Sequence, residues 1–196
     1  AEEGGAGANV MCKDGALENP KVDVIFGLHG WSERSCGKVL VKSGPLLAST
    51  SEIKIAVRGT GCHAALPHLG TDQVLIAARI VDALQIVSSR FVSPTEPVAV
   101  SITQIQGGTT YNVIPSSVEM RGTLRAMTTG VRDRCAAEVK KIAMSVAEMH
   151  GAKAEVEIKY NYPPTINDER ATAFLERIGQ EVLPAGSVER LVQPTM

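Results

Sequence analysis

Aromatic residues are scarce in this chain: one Trp, three Tyr and three Phe among 196 residues. A sheet that stacks the bases of single-stranded RNA needs aromatic platforms on its central strands, and any nucleic-acid surface needs an excess of cations. Neither is present, since 20 Lys and Arg stand against 21 Asp and Glu for a formal net charge of -1. No nucleic-acid partner is expected. No apolar run reaches the roughly 18 residues that a membrane-spanning helix requires, and the first residues lack the basic and apolar regions of a secretory leader, so no membrane partner is expected either. Cys12, Cys36, Cys62 and Cys135 are widely spaced with no C-x-x-C pair. That argues against a zinc knuckle or a disulfide framework and for a reducing, cytoplasmic setting. The chain opens on Ala1-Glu2-Glu3 without an initiator Met and stops at Gln193-Pro194-Thr195-Met196 in mid-pattern, which reads as a piece of a longer protein.

With 44% hydrophobic and 21% charged residues, the composition is that of an ordinary globular chain. A chain of this size buries about 70% of its unfolded surface, enough for one large or two small domains. The run Val22-Asp23-Val24-Ile25-Phe26-Gly27-Leu28 reads as a buried strand, Val39-Leu40-Val41 as a shorter one, and Gly44-Pro45 as the punctuation that ends this region.

From residue 52 the pattern sharpens. Ile53, Ile55 and Val57 alternate with polar neighbours at the two-residue period of a half-buried strand. Asp72 is placed to cap a helix running to about Ser89, with Val74, Ala77, Val81 and Leu84 on its apolar side. Val98, Val100 and Ile102 mark a second strand, and Val118, Met120 and Leu124 a third. Val131, Cys135, Val139, Ile142, Val146 and Met149 form a helical stripe that Gly151 stops. Val156, Ile158 and Tyr160 mark a fourth strand, Pro163-Pro164 closes the unit, and Asp168 to Leu183 reads as a last helix. Residues 52 to 160 thus spell strand, helix, strand, strand, helix, strand, the order of a ferredoxin-like split βαβ unit. The fold class expected is α/β: a ferredoxin-like domain over residues 49–161, inserted into a second domain represented by residues 1–48 and 162–196.

Glu2 and Glu3 point in different directions in any regular backbone, so one can bind a metal while the other moves protons; acidic pairs are also common on solvated surfaces. His29 sits at the C-terminal end of the apolar run, where open α/β sheets bind ligands. Glu3 with His29 offers an oxygen and a nitrogen donor suited to zinc or manganese, two donors where a zinc site needs at least three. Gly59-Thr60-Gly61-Cys62-His63-Ala64-Ala65-Leu66-Pro67-His68 admits three readings: a local metal site with Asp72, a structural turn, or a loop whose tip presents His63 to a substrate oxyanion. Asn112 lies on a loop beside the third strand. Arg125, on that strand's polar face, is either a solvated charge or part of a carboxylate clamp with Asn112 and His63.

The motifs A-E-E-G-G-A-G-A, F-G-L-H, G-P-L-L-A-S, G-T-G-C-H-A-A-L-P-H-L-G-T-D, N-V-I-P-S-S-V-E-M-R-G-T-L-R and Y-P-P-T-I-N-D resemble those of the metal-dependent aminoacylases, hippurate hydrolases and auxin-conjugate amidohydrolases, relatives of zinc carboxypeptidases with an inserted lid or dimerisation domain. The resemblance covers nearly the whole chain. It implies that residues 49–161 are the lid and form a homodimer, while the flanking segments belong to the catalytic, metal-binding domain. The implied substrate is an N-acyl amino acid or amino-acid conjugate, and the implied cofactor is a divalent metal, zinc first, with manganese or cobalt as alternatives. Glu2 matches the general base, Glu3 and His29 metal ligands, His63 the lid histidine that steadies the carbonyl oxygen in a neighbouring subunit, and Asn112 and Arg125 the lid residues that hold the substrate's amide and carboxylate. Two departures stand out. Cys62 replaces a glycine of the lid loop, and the upstream Cys-Gly-His-Asp-x-His ligands and a final downstream histidine are not among these residues, so the chain by itself is expected to be inactive. The contrasting expectation is a non-catalytic module that oligomerises or binds a small ligand.

Overall fold

A computed structural model of the chain describes residues 7–196. In chain order its elements are α1 (Gly7–Lys13), β1 (Val39–Val41), β2 (Gly44–Leu47), β3 (Thr50–Arg58), β4 (Cys62–His63), α2 (Gln73–Ile86), β5 (Val98–Gly107), β6 (Val113–Ile114), β7 (Ser117–Ala126), α3 (Thr129–Met149), β8 (Lys153–Tyr162), β9 (Thr165–Asn167), α4 (Glu169–Val182) and β10 (Val188–Arg190). They fall into two compact units, one spanning Ala48–Pro164 and the other combining residues up to Leu47 with Thr165–Thr195.

In the first unit, β3, β5, β7 and β8 form an antiparallel sheet in the spatial order β5-β7-β3-β8. The alternation read from the sequence decides which face is buried. Ile53, Ile55 and Val57 are fully enclosed, and Ile55 lies in register between Met120 of β7 and Val156 of β8. The same face of β7 contributes Val118, Met120, Leu124 and Ala126. Gly122 interrupts that row because a Cβ there would meet the carbonyl oxygen of Ser101, next to a bulge between Ile102 and Gln104 that draws β5 inward.

The two helices cover this face. Asp72 caps α2 by accepting from the N–H groups of Val74 (3.1 Å) and Leu75 (3.0 Å). The buried row of α2 is Gln73, Ile76, Ala77, Ile80 and Leu84, so Val74, expected inside, points outward: Gln73 takes the inward position of the first turn, and the next residue is rotated by about 100°. Val81 is half-buried, and the chain continues past α2 as a π-helical turn through Phe91. In α3, Val131, Cys135, Val139, Ile142, Ala143 and Ala147 are buried. Met149 is not, because Ala147 and Ala152 close the core at that end. The helix stops as expected: Gly151 adopts φ +73° and donates to Glu148, while Ala152 donates to Ala147 (both 2.9 Å). Burial pushes the Cys135 thiol up from its ordinary range.

The opposite face of the sheet is polar. Glu52 sits across from Lys159 and Lys54 across from Glu157, and Arg58 donates to Glu155 (3.2 Å). Opposite charges on neighbouring strands support the register at a few tenths of a kcal/mol per pair. The first and last strands meet at the unit's base, where Thr50 pairs with Tyr162 and the Tyr162 N–H donates to Thr50 Oγ1 (3.3 Å).

The second unit holds only two-stranded ladders among the described residues, β1 parallel with β10 and β2 antiparallel with β9. Asp168 caps α4 through the Ala171 N–H (2.9 Å). The Arg190 guanidinium grips both carboxylate oxygens of Glu176 (2.6–2.9 Å), joining β10 to α4 and holding that carboxyl below its usual range. Two expectations fail in this unit. The run 22–28 forms no strand, and Ile25 and Leu28 are 76% and 90% exposed. An all-apolar strand needs neighbours on both edges and cover on both faces, and among the described residues none is provided. Gly44-Pro45 does not end the region but begins β2, where a proline on an edge strand costs no ladder hydrogen bond.

Removing side-chain volume from the enclosed face should therefore cost far more than doing so in the exposed run. Ile55→Ala is expected to destabilise the Ala48–Pro164 unit by about 2–5 kcal/mol, whereas Ile25→Ala should stay within about 0.5 kcal/mol, both read by urea unfolding followed at the amides of β3 and β7. Thiol labelling of the native chain should modify exposed Cys12 and Cys36 quickly and Cys135 only on unfolding.

Candidate functional site

The segment after β3 is built for close approach. β4 pairs antiparallel with β6, setting Cys62 against Ile114 and His63 against Val113, and the Ala64 N–H donates to the carbonyl of Asn112 (3.0 Å). Two-residue ladders hold only if the flanking backbone is packed tightly, and glycines allow that here. A Cβ on Gly61 would lie 2.7 Å from the Ile114 carbonyl oxygen, and one on Gly70 would overlap that of Thr60. Cys62 is an extended strand residue with its sulfur beside Gly70.

This ladder sets the backbone of the His63 segment beside that of the Asn112 segment. The exposed His63 ring accepts at Nδ1 from the Ala65 N–H (3.1 Å). In the neutral ring the proton then sits on Nε2, which has no hydrogen-bond partner among the described residues and faces outward as a donor. Asn112 Oδ1 accepts from the Thr110 hydroxyl (3.1 Å), leaving the amide nitrogen as a second donor. Beside them Tyr111 is 98% exposed. A ring N–H and a side-chain amide N–H are each donors of the kind that suits a carbonyl oxygen gaining negative charge.

Arg125 is placed elsewhere. It lies on the open face of β7, half-buried, without an ion pair among the described residues. In register it stands beside Ala99, eight residues along the strand from Ser117, where the His63 segment joins the sheet. At about 3.4 Å per residue that is on the order of 25 Å. Within one chain, Arg125 of the expected trio stands apart from the segments that carry His63 and Asn112.

The local metal reading of this loop fails. Asp72 spends its carboxylate on the α2 cap, and no group of three or more His, Cys, Asp or Glu among the described residues is arranged to hold a metal ion. His29 does not stand at a strand end, as the run before it is irregular. Its Nδ1 lies 2.6 Å from the Gly30 carbonyl oxygen and its ring 5.6 Å from that of Trp31, on the wall of an open groove that also includes Asp23, Phe26, Arg170 and Phe174. Glu2 and Glu3 lie outside the described residues. Sequence reasoning also missed β6, because two residues carry no period, and Gln73, whose amide is buried at the start of α2.

Comparison with known proteins bears on the whole chain. The model of peptidase family M20/M25/M40 matches residues 1–196. An N-acetyl-L-cysteine deacetylase of Bacillus subtilis (strain 168) is 36% identical over 175 residues, 89% of this chain and 42% of that protein. An N-acyl-L-amino acid amidohydrolase of Geobacillus stearothermophilus is 37% identical over 161 residues, 82% of this chain and 43% of that protein. The crystal structure of the Bacillus subtilis YXEP protein, a dinuclear metal binding peptidase from the M20 family, superposes with a TM-score of 0.78 at 28% identity, covering 100% of this chain and 48% of that one. The chain spans about half the length of the curated relatives it matches.

The glycine argument is testable. Gly61→Ala is expected to separate β4 from β6, raising hydrogen exchange at Ala64 about tenfold or more while leaving Ile55 and Met120 protected; unchanged exchange at Ala64 would refute the close-approach requirement.

Proposed function

The chain belongs to peptidase family M20/M25/M40, and we propose that the whole protein hydrolyses the amide bond of N-acyl amino acids or amino-acid conjugates with a divalent metal. The observation that carries this reading is the exposed His63 ring, whose Nδ1 accepts from the Ala65 N–H and so leaves Nε2–H to donate, on a ladder whose second strand begins just after Asn112. Residues 49–161 are the ferredoxin-like lid, a reading supported by the element order and by the strand order β5-β7-β3-β8. Residues 1–48 and 162–196 are parts of the catalytic domain.

In the reaction, Glu2 takes a proton from the attacking water and returns one to the leaving amine. His63 and Asn112 donate to the carbonyl oxygen as it becomes an oxyanion, and Arg125 pairs with the substrate carboxylate through its guanidinium fork. A divalent metal would supply polarisation of the carbonyl and a more acidic water. Glu3 and His29 are too few to hold it, since a zinc site takes three or four protein donors, and the described residues add no cluster to them. The 196-residue chain is therefore expected to bind zinc weakly and to release no amino acid by itself.

The separation of Arg125 from the His63 and Asn112 pair supports a homodimer. One small substrate cannot span a distance on the order of 25 Å along one sheet, so the arginine of one subunit and the donors of the other serve the same site. Leu75 and Ile86, exposed on the outer side of α2, offer apolar surface for that contact.

Two experiments test the reading. Metal-dependent release of free amino acid from a panel of N-acyl amino acids by the full-length protein should vanish with chelator and in Glu2→Gln; no release with any divalent metal would favour a non-catalytic module. Inactive full-length His63→Ala and Arg125→Ala subunits, unfolded and refolded together, should recover about a quarter of wild-type activity, because half the dimers are mixed and each has one intact site. Absence of recovery would overturn the shared site.

A further inference from the structure

Gln73 is the largest polar side chain buried among the described residues, fully enclosed at the first position of α2. Nothing in the helix requires it there, since Asp72 already satisfies the free N–H groups of that turn. Its amide is instead saturated by the segments that carry the donor pair. Oriented to satisfy every partner, the nitrogen donates to the carbonyls of Thr71 and Pro115, and the oxygen accepts from the Thr71 hydroxyl and from the Gly59 N–H (3.1 Å). A glutamine amide has two donor hydrogens and two acceptor sites, and all four are used.

The three segments it joins have distinct roles. Gly59 follows the end of β3 and opens the His63 segment. Thr71 closes that segment: its N–H donates to the Thr60 carbonyl (2.9 Å) and its hydroxyl accepts from the Thr60 N–H (3.1 Å). Pro115 follows β6 directly, three residues after Asn112. There is no slack at the junction, since a Cβ on Gly59 would overlap the Gln73 amide and the Thr71 hydroxyl.

Resting on the reading of His63 and Asn112 given above, we propose that Gln73 is a positioning residue: its buried amide ties the segment that carries His63 and the segment that carries Asn112 to each other and to α2, and so fixes the backbone from which the His63 ring is presented. A side chain that merely filled space would be replaceable by an apolar one of equal length. A clamp is not, because Gln73→Met leaves the Thr71 and Pro115 carbonyls buried without donors.

The test uses Gln73→Met in the 196-residue chain and in the full-length protein. In the chain, the His63 ring nitrogens read by 15N NMR should lose their fixed Nε2–H pattern, and hydrogen exchange at Ala64 should rise about tenfold while Ile55 and Leu124 stay protected. In the full-length protein, kcat should fall about tenfold or more with KM changed less than about threefold, as expected when an oxyanion donor is misplaced rather than lost from substrate binding. If Gln73→Met does not fold, Thr71→Val, which removes only the hydroxyl shared by Gln73 and Thr60, should produce the same loosening in smaller measure. Wild-type ring signals and Ala64 exchange in a folded variant overturn the clamp. Loosening of the pair in Gln73→Met, with full activity retained in His63→Ala, upholds the clamp and removes the catalytic reading of His63.

Discussion

The constraint on which the Ala48–Pro164 unit depends is that β3 is paired on both edges while only one of its faces is apolar. Pairing with β7 and β8 satisfies its backbone, and the enclosed row Ile53, Ile55 and Val57 obliges α2 and α3 to pack on a single side. The register follows, because a slip of one residue would move those side chains onto the charged face. That register also decides where the strands stop. Arg58 is paired with Ser117, so the chain leaving β3 and the chain entering β7 emerge side by side, and the short β4–β6 ladder forms in the space between them.

The β4–β6 ladder is therefore an outgrowth of the core rather than a loop laid on it. The ring of His63 is oriented by the backbone two residues ahead, and that backbone is held by glycines that let segments touch. The second unit shows the opposite condition. Its strands are short, and its apolar run has no neighbouring strand among the described residues, so Ile25 and Leu28 face outward. One part of the chain carries its own core; the other leaves large apolar side chains exposed.

Legibility from sequence divides along the same line. β3, β5, β7 and β8 and the helices α2, α3 and α4 were readable because each buries one face and leaves the other wet, which writes a period of two or of 3.6 into the residues. The cap at Asp72 and the stop at Gly151 were readable because their chemistry is local. The run 22–28 misled because an apolar stretch reports what would bury it, not whether that partner is at hand. β4 and β6 are too short to show a period. Gln73 escaped notice because a polar residue at a helix start ordinarily faces water, and only tertiary packing turns it inward. His63, Asn112 and Arg125 were grouped as one clamp, and only strand register shows how far along β7 Arg125 stands from the segments of the other two.

Thr50 and Tyr162, the first and last residues of the four-stranded sheet, are cross-strand neighbours, with Cα atoms about 5 Å apart as in any antiparallel pair. A segment that leaves a host polypeptide almost where it entered imposes nearly no gap on that host. Excising it would need only a tight turn to rejoin the ends, and acquiring it would cost little loop-closure entropy. Modules with such adjoining ends can be gained, lost or exchanged between lineages without rebuilding the domain around them, and this one has the geometry of a transplantable cassette.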